Sequence, residues 1–125
     1  MTNSMDEFLK AVDLMAAGRF EEAEGVLTTA INADPDNCDL FEALARLYDK
    51  TDQDEKGLAV CQVWTQKDPQ SNMALSNLSV FHQKLNHIEE AEVAKAQATS
   101  LFMKQQLAEA KAKRMVVTEK GNIAC

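Results

Sequence analysis

The chain contains only two prolines, Pro35 and Pro69, and they lie 34 residues apart. The segments around them read Ala-Asp-Pro-Asp-Asn and Lys-Asp-Pro-Gln-Ser, so the surroundings recur as well as the spacing. A period of this length is typical of a repeated helix-turn-helix unit. One such unit cannot bury its apolar faces alone, so several copies must stack against each other. The spacing therefore predicts an array of helix pairs.

Three consecutive segments match the landmarks of one helix-turn-helix motif, each to a different degree. The first segment departs from the motif in its first helix, where Glu7 and Lys10 stand at aromatic and Leu positions. The second departs in its second helix, where Gly57, Cys61 and Trp64 replace the usual residues and predict locally different packing. The matching residues, in chain order, are Ala11, Leu14, 18–23, Leu27, Ala30 and Pro35; Phe41, Leu44, Ala45 and Tyr48; and Leu75, Leu78, Ser79, His82, 86–91 and Ala98.

On these residues the chain resembles the tetratricopeptide repeat family over roughly residues 4 to 103. The resemblance implies an all-α fold in which three helix-turn-helix repeats stack as a short right-handed solenoid. The expected repeats are 4–37, 38–71 and 72–103, so that residues 1–103 form the repeat domain. The resemblance also implies a non-catalytic protein–protein interaction module, an adaptor or assembly scaffold, that binds a peptide or protein segment in its concave groove.

Local chemistry predicts several helix ends. Pro35 and Pro69 cannot continue a helix, and Gly18 suits the left-handed conformation at a helix end. Three pairs of residues also have the spacing of a capping box, in which a short polar side chain and a Glu three residues later satisfy free backbone N–H groups. Each pair predicts the start of a helix: Ser4 with Glu7, Asp52 with Glu55, and Asn86 with Glu89.

The third segment lacks a closing proline, because Met103 stands at that position. Without a breaker between Glu89 and Met115, and with many alanines of high helix propensity, the sequence predicts one long C-terminal helix. Residues 104–115 are a helix extension or a cap that folds back on the third repeat. Since a cap needs a turn and this segment has no Gly or Pro, we favour an extension that makes a homo-oligomer contact. Residues 116–125 are predicted to be a flexible tail.

Composition limits the class of protein. The chain is 46% hydrophobic and 26% charged, which is ordinary for a soluble globular protein. Its net charge of −7 argues against a nucleic-acid partner, because such binding relies on basic surface. The sequence shows neither a long apolar run nor a basic and apolar leader, so we expect no membrane partner and a cytoplasmic location. Three cysteines without framework spacing are expected to be reduced thiols.

No group of residues in the sequence indicates catalysis. His82 and His87 are five residues apart, lie on opposite sides of a predicted turn and have no accompanying Cys-x-x-Cys pair, so no metal site is expected. His82 is expected to be a partly buried packing residue and His87 a surface turn residue. The scattered glycines do not form a phosphate loop, and Cys61 is expected to be a small core residue. We therefore expect no enzyme activity, no catalytic residues and no cofactor.

The binding surface in this family is usually the concave face formed by the first helix of each repeat. The register of the two prolines selects the residues expected on that face. The four from the first repeat are apolar, and clustered exposed apolar residues indicate a binding surface; the alternative is that these four belong to the core. The selected partner-binding residues are Met5, Phe8, Val12, Met15, Asp39, Glu42, Arg46, Asp49, Met73, Ser76, Asn77, Val80 and Lys84.

Some members of this family hold the C-terminal carboxylate of a chaperone with Lys, Asn and Arg side chains. In this chain Phe8, Val12, Ala43 and Met73 stand at positions where Lys or Asn is required, so that function is not expected. The apolar groove resembles instead the repeat chaperones that hold extended segments of secreted proteins. Two alternatives to the adaptor therefore remain open, which are a cytoplasmic holdase-type chaperone for such apolar segments and a self-assembling homo-oligomer that uses the C-terminal helix.

Overall fold

Six α-helices make up the regular structure of residues 4–119, which are the residues that the computed structural model describes, with side chains to residue 114. Both the first helices and the second helices of the successive pairs begin at 34-residue intervals. The predicted all-α architecture of three stacked helix pairs with a long C-terminal helix is therefore confirmed. The helices are α1 (Ser4–Ala16), α2 (Phe20–Ala33), α3 (Cys38–Lys50), α4 (Asp54–Lys67), α5 (Asn72–Lys84) and α6 (Ile88–Glu119).

The first helix of every pair ends in the same turn. Gly18, Asp52 and Asn86 have φ angles of 79°, 56° and 64°, and the residue after each donates its backbone N–H to the carbonyl five residues earlier. This is the Schellman arrangement, in which one residue in the left-handed conformation closes the helix. The prediction that Asp52 and Asn86 cap the following helices is therefore wrong. Asn and Asp tolerate the left-handed conformation, so these residues end α3 and α5, and α4 and α6 begin two residues later.

Side-chain caps begin the first helices of the second and third pairs. Asn37 accepts a hydrogen bond from the Asp39 N–H at 3.1 Å, and the Ser71 hydroxyl accepts one from the Ala74 N–H at 3.1 Å. Both caps follow the proline-containing connections and satisfy backbone donors that the helix leaves free. Ser4, which is predicted to cap α1, is the first described residue of that helix, and its hydroxyl accepts a hydrogen bond from the Asn37 amide at 3.0 Å.

The packing of the helices bends the array. Each helix packs against its neighbour in the chain, and the first helices also pack against one another, α1 against α3 and α3 against α5. Among the described residues, α2, α4 and α6 make no equivalent contacts with each other. Because the first helices approach one another more closely than the second helices do, the array curves toward the first helices. The concave face is therefore formed by the sides of the first helices that point away from the second helices.

The core is densest around α3, because repeats cover that helix on both sides. Cys61 and Trp64 of α4 are buried in the same core, so the second repeat uses its unusual residues for packing. This confirms that Cys61 is a core residue. The buried residues of α3 are Leu40, Phe41, Ala43, Leu44, Ala45, Leu47 and Tyr48.

Helix α6 is much longer than its partner α5, with 32 residues against 13. At 1.5 Å per residue this gives about 48 Å against about 20 Å, so α6 extends far beyond α5. Of the described helices, α6 packs against α5 alone. The Gln105 side chain donates a hydrogen bond to the Gln70 carbonyl at 3.1 Å, and the side chains of residues 106–114 are exposed. We call residues 106–114 the overhang of α6.

Helix α6 runs without a break through the segment that was predicted to be either an extension or a cap. The helix passes through Met103 without a turn, so residues 104–115 do not fold back onto the third repeat. It continues to Glu119, although the sequence analysis begins a flexible tail at residue 116, because no Gly or Pro interrupts it before that point. Residues 120–125, with Cys125, lie outside the described residues. None of the described helices has an apolar stretch long enough to cross a lipid bilayer.

Candidate functional site

The residues selected from the sequence all lie on the first helices α1, α3 and α5, which form the concave face. On α1, Met5 is strongly exposed, with 52% of its surface accessible. Val12 is half-buried, while Phe8 and Met15 are half-buried and pack against the core. The four apolar residues of the first repeat were expected to be either exposed on the binding face or part of the core. Met5 is exposed, whereas Phe8 and Met15 support the core. Leu9, which the sequence analysis does not select, is also exposed, at 53%.

Helix α3 contributes the charged middle of the concave face. Asp39 and Arg46 are exposed, and Glu42 is half-buried. Arg46 Nη2 lies 3.0 Å from Glu42 Oε1, one helical turn away. A solvent-accessible pair of this kind, with one partner half-buried, contributes about 0–1 kcal/mol, so it can rearrange at little cost when a ligand approaches.

Helix α5 contributes an apolar end to the same face. Met73 and Val80 are exposed at 49% and 42%, and Ser76 is exposed between them. Asn77 is half-buried, and its side-chain amide donates a hydrogen bond to the Met73 carbonyl at 2.9 Å. This bond holds the Asn77 amide against its own helix and leaves the methionine and valine as the prominent side chains.

A shallow hollow between α5 and α6 continues this apolar end. It is lined by Met73 and Ser76 of α5 and by Lys95, Thr99 and Phe102 of α6, and Phe102 is 49% exposed. These α6 residues were not predicted from the sequence, because the binding face was expected to consist of first helices only. The apolar Phe102, near the end of the predicted second helix of the third repeat, is the sequence signal that could have indicated them.

Lys84 differs from the other selected residues because the protein itself holds it. Its Nζ pairs with Asp49 Oδ1 of α3 and lies 4.0 Å from Asp52 Oδ1 and 3.6 Å from Asp54 Oδ1. The hydrogen bond with Asp49 raises the pKa of Lys84. Asp54 Oδ1 is buried without a hydrogen-bond partner, so the Lys84 charge compensates for its burial. Lys84 and Asp49 thus join the second and third repeats and are not free for a ligand.

The positions that would hold a carboxylate in the chaperone-binding members carry uncharged side chains. These residues are Phe8, Val12, Ala43 and Met73. The two cations selected on the concave face, Arg46 and Lys84, are each paired with carboxylates. Strong anion sites need charge-assisted donors that point at the ligand. The concave face therefore offers apolar surface at its ends and paired charges in its middle.

The two cysteines among the described residues are poor nucleophiles. Burial raises the pKa of the Cys61 thiol to about 12. Burial also raises the pKa of Cys38, together with the nearby carboxylates of Asp68, Asp39 and Asp36. Since the thiolate is the reactive form, both side chains are held in the unreactive thiol form at neutral pH.

One expectation about the histidines is wrong. The turn between His82 and His87 was expected to separate them, yet it brings the two rings together, with centroids 5.4 Å apart. His82 is half-buried and His87 is exposed, as expected. Their side chains and that of Glu90 lie close enough for ligand atoms from all three to be within 4.8 Å of one another.

Comparison with protein families supports the repeat assignment. A family model described as tetratricopeptide repeat matches residues 14–78, which is just over half of the chain. The match begins near the end of α1 and reaches into α5. No curated protein matches the sequence significantly.

Several solved structures share this fold. The second TPR domain of Spaghetti (RPAP3), bound to the HSP90 peptide SRMEEVD, is 21% identical with a TM-score of 0.74, and the match covers 80% of this chain and 93% of that chain. The first TPR domain of human RPAP3 is 18% identical with a TM-score of 0.72, covering 94% and 96%. MamA is 15% identical with a TM-score of 0.79, covering 84% of this chain and 61% of MamA. At these identities the likeness shows a shared fold.

Proposed function

The chain belongs to the tetratricopeptide repeat family, and from this premise we propose that its concave face binds a peptide or protein segment, as an adaptor or assembly scaffold without catalysis. One observation carries the proposal. Met5 of α1 and Met73 and Val80 of α5 are exposed, although these first helices bury other apolar side chains in the core. Exposed apolar side chains grouped on one face indicate a binding surface, and methionine adapts to varied apolar ligands.

The charges of the face favour a particular ligand chemistry. Asp39 is an exposed carboxylate near the middle of the face, and Glu42 becomes available if its pair with Arg46 opens. An acidic segment would meet these carboxylates, whereas a basic or uncharged segment would not be repelled. We therefore propose a ligand with apolar side chains at its ends and with neutral or basic residues between them.

This ligand differs from the peptide in the RPAP3 complex. The sequence SRMEEVD carries acidic residues and ends in a carboxylate. In this chain Phe8 and Met73 stand at positions where the family resemblance places carboxylate-binding Lys residues, and the cations selected on the face, Arg46 and Lys84, are already paired. Weak or absent binding of SRMEEVD is therefore part of the proposal.

We also propose a cytoplasmic location. Cys38 and Cys61 are both free thiols in the structure. Reduced cysteines are typical of proteins from reducing compartments.

A peptide-binding experiment tests the proposed groove. The probe is an array of ten-residue peptides that vary apolar content and charge independently and include SRMEEVD. We expect wild-type protein to retain peptides with apolar ends and a neutral or basic middle. The variant Met73→Glu with Val80→Glu should lose at least tenfold in affinity for them, because each Glu places a charge on the apolar end.

A matched control separates the concave face from general surface effects. Val63 of α4 is 41% exposed, close to the 42% of Val80, and Val93 of α6 is 58% exposed. Both belong to second helices. The variant Val63→Glu with Val93→Glu should bind like wild type. Equal loss in both double variants, with helix content intact by circular dichroism, would contradict binding on the concave face.

The breadth of binding decides between an adaptor and a holdase-type chaperone. An adaptor should retain a narrow set of peptides with a shared pattern. A holdase should retain most apolar peptides whatever their order, and it should suppress aggregation of an unfolded test protein. The same double variants apply to both assays, since both functions would use the same face.

Self-association is a second candidate, favoured by the overhang of α6. Leu107 is 69% exposed, and Met103, one turn earlier, is 58% exposed. Residues four apart lie on the same side of a helix, so these two side chains form an apolar stripe from the end of the third repeat onto the overhang. Sedimentation of wild type and of Leu107→Glu across protein concentrations tests this candidate. A concentration-dependent dimer that the substitution abolishes would support it.

A further inference from the structure

We propose that His82, His87 and Glu90 form a binding site for a divalent transition-metal ion such as Zn²⁺. The site lies at the turn between α5 and α6, and it is independent of the proposed peptide-binding function. His82 is in the last turn of α5, and Glu90 is in the first turn of α6. Two imidazoles and one carboxylate are an established zinc ligand set in proteins.

The distance between the two imidazoles fits one shared ion. His82 Nδ1 and His87 Nδ1 are 3.2 Å apart. Two nitrogens that each lie about 2.05 Å from a tetrahedral zinc ion are separated by about 3.3 Å. The rings are tilted by 53° and are not stacked, which is compatible with two nitrogens that converge on one point. A ligand atom of Glu90 lies within 4.8 Å of a ligand atom of each imidazole, so the carboxylate is within reach of an ion held between the two rings.

The backbone of the turn produces this arrangement. Asn86 is in the left-handed conformation, with φ of 64°, and the His87 N–H donates to the His82 carbonyl at 2.7 Å. In a Schellman turn the side chains at these two positions commonly contact each other. The His87 carbonyl accepts a hydrogen bond from the Ala91 N–H at 3.0 Å, which fixes the start of α6. The two histidines therefore lie on a rigid turn, and metal binding needs little backbone ordering.

The other two repeats contain the same turn without the same ligands. The equivalent residues are Leu14, Arg19 and Glu22 in the first repeat, and Tyr48, Gln53 and Lys56 in the second. The turn geometry is thus a property of the fold, while the ligand set belongs to the third repeat. This separates the proposed site from the ordinary packing of the repeat.

The local charges also suit a cation. The end of α5 carries the negative end of a helix dipole, which favours a cation beside His82. The start of α6 has the opposite effect, and the Glu90 carboxylate offsets it. His87 and Glu90 are exposed, so solvent can occupy a fourth position on the ion. The site is therefore an open one with three protein ligands.

Metal binding requires a defined proton arrangement. Without metal, one Nδ1–H donates to the other Nδ1 across the 3.2 Å contact. With metal, both imidazoles are neutral with the proton on Nε2, and both Nδ1 lone pairs face the ion. The proton on the donor ring moves from Nδ1 to Nε2 through solvent, so two neutral imidazoles release no net proton.

Zinc titration followed by calorimetry tests the proposal. The protein carries no affinity tag, and Cys38→Ser with Cys125→Ser serves as the background so that neither of these thiols binds the metal. We expect one Zn²⁺ per chain. The variants His82→Gln, His87→Gln and Glu90→Gln should each lose at least about tenfold in affinity, because each removes one ligand. Glu89→Gln is the control, since it removes a neighbouring carboxylate outside the ligand set and should bind like the background.

Nuclear magnetic resonance gives a second measurement that needs no substitution in the ligand set. On addition of Zn²⁺, the ring ¹⁵N resonances of both histidines should show Nδ1 as the coordinated nitrogen and Nε2 as protonated. The proposal is overturned if the background protein binds no Zn²⁺ or if Glu90→Gln binds as tightly as the background. Equal affinity in either histidine variant, or coordination through Nε2, also overturns it.

Discussion

The ring of Phe81 in α5 occupies the space that a β-carbon on Gly57 of α4 would need. Such an atom would overlap ring carbons Cε1 and Cζ and lie 2.7 Å from Cδ1. Phe81 is fully buried. One repeat earlier the equivalent residues are Ala23 and Leu47, which are also buried. The second repeat thus has Gly57 where the first has Ala23, and the third has Phe81 where the second has Leu47. The larger ring fills the space of the missing methyl group, which explains why Gly57 departs from the motif.

This contact makes Gly57→Ala destabilising. Alanine is preferred to glycine in a helix by about 1 kcal/mol, but the clash with a buried ring should reverse the sign and cost about 1–3 kcal/mol. Gly25→Ala is the matched control, because no atom lies within 4 Å of its added β-carbon. Urea unfolding should show Gly25→Ala to be slightly stabilised and Gly57→Ala to be destabilised. Equal effects of the two substitutions would contradict the packing described.

The same contact should appear as coupling between two substitutions. Phe81→Leu restores the residue type found at Leu47, and it provides room for an added methyl group at Gly57. The combination Gly57→Ala with Phe81→Leu should therefore be more stable than the sum of the single effects by at least about 0.5 kcal/mol. A double-mutant cycle of urea unfolding free energies measures this coupling, and strict additivity would show that the two residues do not constrain each other.

Loss of the Lys84 charge should destabilise the junction of the second and third repeats. Lys84→Met leaves the buried Asp54 Oδ1 without its nearby positive charge and breaks the pair with Asp49. We expect a loss of about 1–3 kcal/mol in the free energy of unfolding. Lys50→Met makes the same chemical change at the equivalent exposed position one repeat earlier and should have a smaller effect. Thermal and urea unfolding of the two variants test the difference, which disappears if Lys84 is only a surface charge.

Alkaline pH should destabilise the protein partly through Cys61. Its pKa is about 12 in the folded state against 9.0 for an unburied thiol. The folded state thus holds the proton more tightly, so this stability is fully present below pH 9 and is lost as pH rises toward 12. One such group contributes a slope of about 1.4 kcal/mol per pH unit in that window.

The variant Cys61→Ala isolates this slope. It carries a constant cost from the smaller side chain, but its stability should fall less steeply than that of wild type between pH 9 and 10.5. Tyr48, whose pKa is also raised, mainly by burial, is present in both proteins, so its effect cancels in the comparison. Urea unfolding across this pH range provides the measurement, and parallel curves would show that the thiol ionises as freely in the folded protein as in the unfolded chain.

The overhang of α6 should tolerate charge without loss of stability. Leu107 is 69% exposed, so Leu107→Glu should change the free energy of unfolding by no more than about 0.5 kcal/mol. Ala98→Glu is the contrasting variant, because Ala98 is buried in the same helix and a Glu there should cost more than about 2 kcal/mol. Thermal unfolding at low protein concentration tests this contrast. A large cost for Leu107→Glu would mean that the overhang contributes to a core or to a stable dimer.

The repeat architecture could be predicted because its signals are local and recur. The positions of Pro35 and Pro69 gave the period, and small, apolar and aromatic residues at helical spacing gave the helices. The absence of a breaker near Met103 likewise predicted the long α6. Helix ends were less well predicted, because an Asn or Asp before a helix can cap it or can end the preceding one. Asp52 and Asn86 end the preceding helices, α3 and α5.

The sequence predicted which helices would carry the candidate site, but it did not predict which of their side chains would be exposed. The sequence placed the selected residues on the first helices, but it could not show that Phe8 and Met15 pack inward while Met5 remains exposed. That difference depends on the rotation of α1 against α2 and α3, which no local pattern specifies. The pairing of Lys84 with Asp49 also joins residues 35 positions apart and follows from how two repeats stack.

The sequence by itself determined the fold class, the period and the number of helix pairs, because helix propensity, proline and apolar spacing act within a few residues. Tertiary structure decided which side chains meet across turns and between repeats. The convergence of His82 with His87 and the fit of Phe81 against Gly57 both depend on positions in space that a turn or a packing angle sets. Local sequence carries the first kind of information, and only the folded chain carries the second.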